Sequence, residues 1–293
     1  MEKIGASELI INSDGSVFHL HLKPEELADT VILVGDPGRV ELVSSFFDRV
    51  EVRKASREFV SATGTYKGTR MTVLSTGIGC DNLDIVMTEL DALVNIDFSS
   101  RQVKKNLRSL RILRIGTSGA IQPDIPVGSY VFSHISVGAD GLMNWYAGRD
   151  EVSYKEMEEA FVAATGWDSH LPAPYFIRAS QELIDLFADV TVKGVTISAP
   201  GFYGPQGRVL RLPLAMPDMM EKFEQFRFGD YRITNFEMEG SALAGMARKL
   251  GHRGGTVCCI IANRYHKGAE PDYKQLVEKL VVLALDKLAG QAI

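Results

Sequence analysis

Residues Arg111–Ile121 read RILRIGTSGAI. Ile112, Leu113 and Ile115 form a short apolar run, the pattern of a buried strand. Gly116-Thr-Ser-Gly119 then reads as a tight polar turn, because glycine adopts backbone geometry that other residues resist. Arg114 interrupts the apolar run. A guanidinium placed there has to meet either an anion or a carboxylate, since an unpaired buried charge is very costly. Two readings of Arg114 follow: a structural Arg–Glu pair, or an anion held by Arg114 with Thr117, Ser118 and the turn amides alongside.

The same strand-to-turn logic applies upstream. Thr30–Gly35 is another buried-strand run, followed at once by Asp36-Pro-Gly-Arg39. Asp36 suits a helix N-cap and Pro37 the first helical position, which predicts a helix over Val40–Phe47. Arg39 in its first turn opposes the helix dipole; a bound anion shared with the helix-start amides removes that conflict. Gly35 lets the backbone approach such an anion closely. Val50–Tyr66 alternates as one or two strands, with Lys67-Gly68 a hairpin turn into Arg70–Thr76 and Arg57-Glu58 a strand-face pair. Gly77-Ile-Gly-Cys-Asp-Asn82 nearly matches a dinucleotide fingerprint, but Asn82 stands at its third glycine.

Asp84–Asn95 has helical spacing, and Ser99–Leu110 reads as an amphipathic helix with a basic face. Val17–Leu22 alternates as an edge strand with His19 and His21 on one side. Phe202-Tyr-Gly-Pro-Gln206-Gly-Arg208 is a Gly/Pro-rich loop whose aromatic, amide and guanidinium suit a planar heterocycle. Pro217–Phe228 looks helical. Glu239 opens a helix over Ala242–Leu250, where its carboxylate suits the dipole or accepts two vicinal hydroxyls. Thr256–Ala262 is the last buried strand, and Asp272–Leu288 a closing helix.

Composition narrows the class. The 293 residues are 45% hydrophobic and 24% charged, an ordinary globular balance. A net charge of -5 argues against general nucleic-acid binding. Cys80, Cys258 and Cys259 make no disulfide framework, which points to a reducing, cytoplasmic address. No run approaches the roughly 20 apolar residues of a membrane helix, so no membrane partner is expected.

Taken in order, several stretches carry a resemblance. They are Val17-Phe-His19-Leu, Gly35-Asp-Pro-Gly-Arg39, Arg57-Glu-Phe59, Ser75-Thr-Gly-Ile-Gly79, Arg114-Ile-Gly-Thr-Ser-Gly119, Phe202-Tyr-x-x-Gln206-x-Arg208, Glu237-Met-Glu239 and Asn263-Arg264. The series resembles the nucleoside phosphorylase family, and within it the uridine-cleaving members. The resemblance implies an α/β fold, one three-layer α/β/α domain with a central mixed sheet spanning residues 17–290 after a polar lead at 1–16. It implies a pentosyltransferase using inorganic phosphate as co-substrate, with no other cofactor and no nucleic-acid partner. Gly35, Arg39, Arg114 and Thr117 would bind phosphate, joined by Arg57 of a neighbouring subunit. Met238 and Glu239 would hold the ribose, with the neighbour's His19 at its 5′-hydroxyl, so at least a homodimer is implied. Ser118, Gly119, Phe202, Gln206, Arg208 and Arg264 would line the base site. Arg114, Arg208 and Gln206 would carry the chemistry. Three arginines fit phosphorolysis better than hydrolysis. Purine-cleaving relatives place Asp where this chain has Asn263, which favours a pyrimidine; purine cleavage and a non-catalytic nucleoside binder are the alternatives. A monovalent cation, as in some relatives, would use Glu58 and Ile78, but Asn82 replaces a hydroxyl there and no metal is assigned. Inserts at Ser99–Leu110 and Val209–Thr234 carry no assigned role.

Overall fold

Thr30–Val34 forms β1, buried along its whole length, and its neighbours show why a continuous apolar run was needed. Val31 and Leu33 pack into one core, Ile32 and Val34 into a second on the opposite face. A strand covered on both faces cannot alternate apolar with polar.

The computed structural model describes residues 3–270 and 272–290. After β1 come α1 (Pro37–Ser44), β2 (Arg49–Ser56), β3 (Phe59–Tyr66), β4 (Thr69–Ser75) and α2 (Cys80–Asn95). A short hairpin of β5 (Ile96–Asp97) and β6 (Gln102–Val103) leads to β7 (Arg111–Ala120) and β8 (Tyr130–Gly138). The chain continues through α3 (Lys155–Thr165), β9 (Tyr175–Arg178), α4 (Gln181–Phe187) and β10 (Val192–Ser198). It ends with α5 (Met219–Gln225), β11 (Arg227–Phe228), β12 (Tyr231–Arg232), β13 (Asn235–Glu237), α6 (Gly240–Leu250), β14 (Arg253–Asn263), β15 (Gly268–Ala269) and α7 (Lys274–Ala289).

β1 lies between β4 and β7, parallel to both, and β3 and β2 extend that side antiparallel. Helices α2 and α6 cover one face; α1, α4 and α7 cover the other. This is the three-layer α/β/α arrangement about a mixed sheet expected from the resemblance. The sheet also closes on itself. β7 runs parallel to β14, which pairs antiparallel with β8; β8 and β13 both flank β10, and β13 returns antiparallel to β7. A third core under α3 and α5 fills the space beside this ring.

Several local expectations are corrected. Gly116–Gly119 is no turn: β7 continues to Ala120 because β14 pairs with it from Arg111 onward. Val17–Leu22 is a turn rather than a strand, with His21 in the left-handed region at φ 52°, so His19 and His21 do not share a strand face. Arg57-Glu58 makes the turn between β2 and β3, with Arg57 at φ 54°. Ser99–Leu110 is not helical. The Asp97 carboxylate accepts the Ser99 and Ser100 amides at 2.8 and 3.1 Å, a side-chain turn that outcompetes helix nucleation. Arg101 then donates to the Ile4 and Gly5 carbonyls at 2.9 and 3.0 Å, tying down part of the 1–16 segment, of which residues 1 and 2 lie outside the described ones. The helix expected over Pro217–Phe228 is confined to Met219–Gln225. Among the described residues no helix is long and apolar enough to cross a membrane.

Phe161 anchors the third core, its ring 5.2–5.4 Å from those of Phe176, Phe223 and Phe226. Phe161→Ala should cost about 3–5 kcal/mol, read as a lower urea midpoint at unchanged slope. A loss under about 1 kcal/mol would mean this core is not close-packed.

Candidate active site

The start of α6 organises the site. Glu237 ends β13 and turns its carboxylate onto the helix: Oε2 accepts the Glu239 and Gly240 amides at 2.9 and 2.8 Å. Ser198 Oγ, at the end of β10, donates to Glu237 Oε1 and accepts the Ser241 amide at 2.8 Å. These contacts satisfy helix-start amides with negative charge at the positive end of the dipole. Ser241 Oγ and the Tyr175 hydroxyl both donate to Asp140, at 2.8 Å each, which fixes the first turn from the other side.

Arg114 reaches into this cluster from β7. Nη1 lies 3.3 Å from Glu237 Oε2, and Nη2 donates to Glu239 Oε2. Burial works against the Arg114 charge, but Glu239 and Glu237 outweigh it and hold its pKa above the ordinary value. Burial pushes the Glu237 carboxyl up, against the pull of Arg114. Of the two readings of Arg114, the carboxylate pair is therefore realised, yet it does not exhaust the side chain. Nε is buried and has no partner among the described residues.

Gly35 borders this group: a Cβ there would lie 4.0 Å from Arg114 Nη2 and 3.5 Å from the Gly77 carbonyl, in ordinary contact. At Gly116 a Cβ would overlap Arg114 Nη1. The α1 N-terminus beside Gly35 is built as expected, with Pro37 in the first turn and Asp36 accepting the Gly38 amide at 2.9 Å. Arg39 in that turn is half-buried, and its guanidinium has no carboxylate partner among the described residues. Burial raises the Cys258 thiol to about 12 while Arg114 and Arg39 pull it down, so both cations lie within electrostatic reach of one sulfur. The sheet opens at the same place. β1 pairs with β7 only as far as Ile115 and β13 begins at Gly119, leaving Gly116, Thr117 and Ser118 without a strand on that edge. A topological break at strand C-termini is where α/β sheets bind ligands.

The residues expected at the base site also contact one another. Asn235 Nδ2 donates to Ser118 Oγ at 2.9 Å. The Arg264 stem passes 3.6 Å from where a Gly119 Cβ would be, and its Nη1 donates to the Gln206 carbonyl at 3.0 Å. Arg208 Nη1 donates to Gln206 Oε1 and the Phe202 carbonyl at 2.7 and 2.6 Å. Its guanidinium stacks 3.7 Å from the Phe202 ring centroid, so one face of that ring is already covered. Burial, and then Arg264 beside it, bring Arg208 down to about 10. Asn263 has no freedom for chemistry: Nδ2 donates to the Gln122 and Ile125 carbonyls, and Oδ1 accepts the His266 amide.

His19 and Arg57 form a separate patch. The Phe18 ring lies 4.8 Å from that of His19 and 6.0 Å from the Arg57 guanidinium. Neither residue touches Arg114 or Glu239 among the described contacts. Met238 is half-buried, its carbonyl 3.2 Å from Cys80 Sγ. The near-fingerprint at Gly77–Asn82 does not serve a pyrophosphate here, because the Gly79 amide at the head of α2 is taken by Glu239 Oε1 at 2.9 Å. The sequence assigns no role to Glu237 or Gly79. The available signal was two glutamates separated by one residue immediately before a helix.

Comparison with known proteins places the chain among relatives of one family. The family model described as the phosphorylase superfamily matches residues 29–290. Uridine phosphorylase of Thermococcus kodakarensis is 30% identical over 273 residues, 90% of this chain and 83% of that protein. Uridine phosphorylase of Haemophilus influenzae is 30% identical over 288 residues, 94% of this chain and 98% of that protein. A Trypanosoma brucei nucleoside phosphorylase, whose crystal structure is described as showing uridine phosphorylase activity, superposes with a TM-score of 0.84 at 28% identity, covering 97% of this chain and 100% of that one.

Glu237→Ala removes one partner of a buried cation and the cap of α6 together. It should destabilise the protein by about 3–5 kcal/mol in urea unfolding, whereas a cost below about 1 kcal/mol, the value of a surface pair, would contradict the buried cluster.

Proposed function

The chain belongs to the phosphorylase superfamily, and on that premise we propose that it is a pentosyltransferase that reversibly converts uridine and phosphate to uracil and ribose 1-phosphate. The observation that carries this reading is the junction at Gly35. There a buried Arg114, whose Nε has no partner among the described residues, and an Arg39 without a carboxylate partner among them border a helix N-terminus and an open strand edge.

Gly35, Arg39, Arg114 and Thr117 bind phosphate in this reading, with Arg57 of a neighbouring subunit. Glu239 holds the ribose 2′- and 3′-hydroxyls beside Met238. Each Glu239 oxygen already accepts one donor and has a second lone pair for a hydroxyl. Breaking the C1′–N1 bond leaves positive charge on the sugar and sends the electron pair into the pyrimidine. A phosphate oxygen held beneath C1′ stabilises the cation and then bonds to it. The departing base spreads its negative charge onto its carbonyl oxygens, where donors from Arg208 and Gln206 meet it, with Ser118, Gly119, Phe202 and Arg264 lining the site. Arg208, on its loop, and Arg264, at the end of β14, are both half-buried where each charge is costly, so an anion arriving between them is favoured. A purine leaves best when protonated at N7, and Asn263, with its amide fully engaged, supplies no proton.

His19 and Arg57 complete a neighbouring subunit's site, which makes the active form at least a homodimer. Such an enzyme serves nucleoside salvage or catabolism in the cytoplasm, a setting that suits three free buried thiols.

Uridine, thymidine, inosine and adenosine incubated with and without phosphate test the reading. Uracil should appear only with phosphate, together with ribose 1-phosphate; equal release without phosphate makes the protein a nucleosidase, and tight binding without turnover makes it a binder. Arg39→Ala should raise KM for phosphate by about tenfold or more, the worth of a charge-assisted hydrogen bond, with little change for uridine. Mixing Arg57→Ala and Arg39→Ala subunits should restore part of the activity lost at low phosphate, because mixed dimers regain an intact site.

A further inference from the structure

Glu89 is a carboxylate in the middle of α2, on the side that packs into the core, with only 8% of its surface exposed. A charge there needs partners, and all of them come from one place. Oε2 accepts the Leu20 amide at 2.9 Å, both oxygens lie within 3.1 Å of the His19 amide, and Oε1 lies 2.6 Å from His19 Nδ1. The turn that carries His19 is thus gripped from a distant helix, through backbone and ring at once.

The chemistry of the pair is restrictive. An ionised carboxylate only accepts, so His19 Nδ1 must carry the hydrogen in this contact. The Nε2 atom is the nitrogen left over, and it has no partner among the described residues. The ring is also wedged between Phe18, at 4.8 Å, and Phe59, at 6.3 Å, both edge-on. One side chain therefore fixes the tautomer, and three fix the ring plane. A carboxylate that only closed the turn would have needed the amides of His19 and Leu20 and not the imidazole.

We propose that Glu89 is the positioning residue for recognition of the nucleoside 5′-hydroxyl, holding His19 as the Nδ1–H tautomer so that Nε2 is presented to the ribose in the neighbouring subunit's site. This rests on the reading of His19 given above. Glu89 does not touch substrate. It acts through His19 and consequently on the 5′ end of the sugar alone, leaving phosphate and base untouched.

The test compares uridine with 5′-deoxyuridine in the wild type, His19→Ala and Glu89→Gln. The Glu89→Gln substitution keeps the shape and one acceptor for the turn, but its amide group confronts Nδ1 with a donor. The ratio of kcat/KM for uridine over 5′-deoxyuridine should fall about tenfold in His19→Ala, as for loss of one strong hydrogen bond, and by a similar factor in Glu89→Gln, with KM for phosphate unchanged in both. Imidazole 15N spectra should show His19 protonated at Nδ1 in the wild type and not in Glu89→Gln. A ratio that collapses in His19→Ala but survives in Glu89→Gln overturns the role of Glu89 and leaves that of His19 standing. A ratio unchanged in both variants overturns His19 as the 5′ contact, and Glu89 with it. An equal loss on both substrates in Glu89→Gln would mean that Glu89 only braces the fold.

Discussion

Arg114 keeps its charge inside the protein because Glu237 and Glu239 flank it, and much of the site is arranged around that group of three. Two carboxylates in so little space would repel each other without the guanidinium between them, and the guanidinium would be intolerable without the carboxylates. Both glutamates also act elsewhere. Glu237 caps α6, and Glu239 takes the Gly79 amide at the head of α2. The cluster thereby ties β7, β13 and two helices to one point. Gly116 is small because the Arg114 head group passes over it.

Much of the fold is legible in the sequence where signals are local. Asp36-Pro37 encodes its own helix start, and a five-residue run buried on both faces is legible as a central strand. The ordered motifs name residues expected to bind phosphate and base, and of the latter Gly119, Gln206, Arg208 and Arg264 lie against one another. Legibility ends where distant partners decide. Gly116–Gly119 has the composition of a turn, but β14 holds it extended by pairing alongside. Ser99–Leu110 has helical apolar spacing, yet no helix packs there, because Asp97 turns the chain and Arg101 reaches back to residues 4 and 5. Val17–Leu22 alternates like a strand, but Glu89 collects its amides from one side and bends it. Apart from Asp97, two residues before Ser99, these partners lie outside the window that periodicity samples.

Arg208 and Gln206 show how a loop can be rigid without regular structure. Arg208 closes the loop on itself through the Phe202 carbonyl and ring, and Arg264 clamps it from β14's end. A binding group on a loop needs this kind of bracing, since misplacement by a fraction of a bond length weakens a hydrogen bond sharply.

The strand ring formed by β7, β14, β8, β10 and β13 has one further effect. A sheet that returns to its own first strand has no outer edge strand along that circuit, and among the described residues the gap on the β7 edge is the short stretch Gly116–Ser118. The long margin left open is β2, and there Arg49, Glu51 and Arg53 stand exposed at alternate positions. An incoming strand from another molecule would set those charges against its own side chains at every second residue. The β2 margin of a wide, strongly apolar sheet is thus a poor template on which other chains could stack into fibrils.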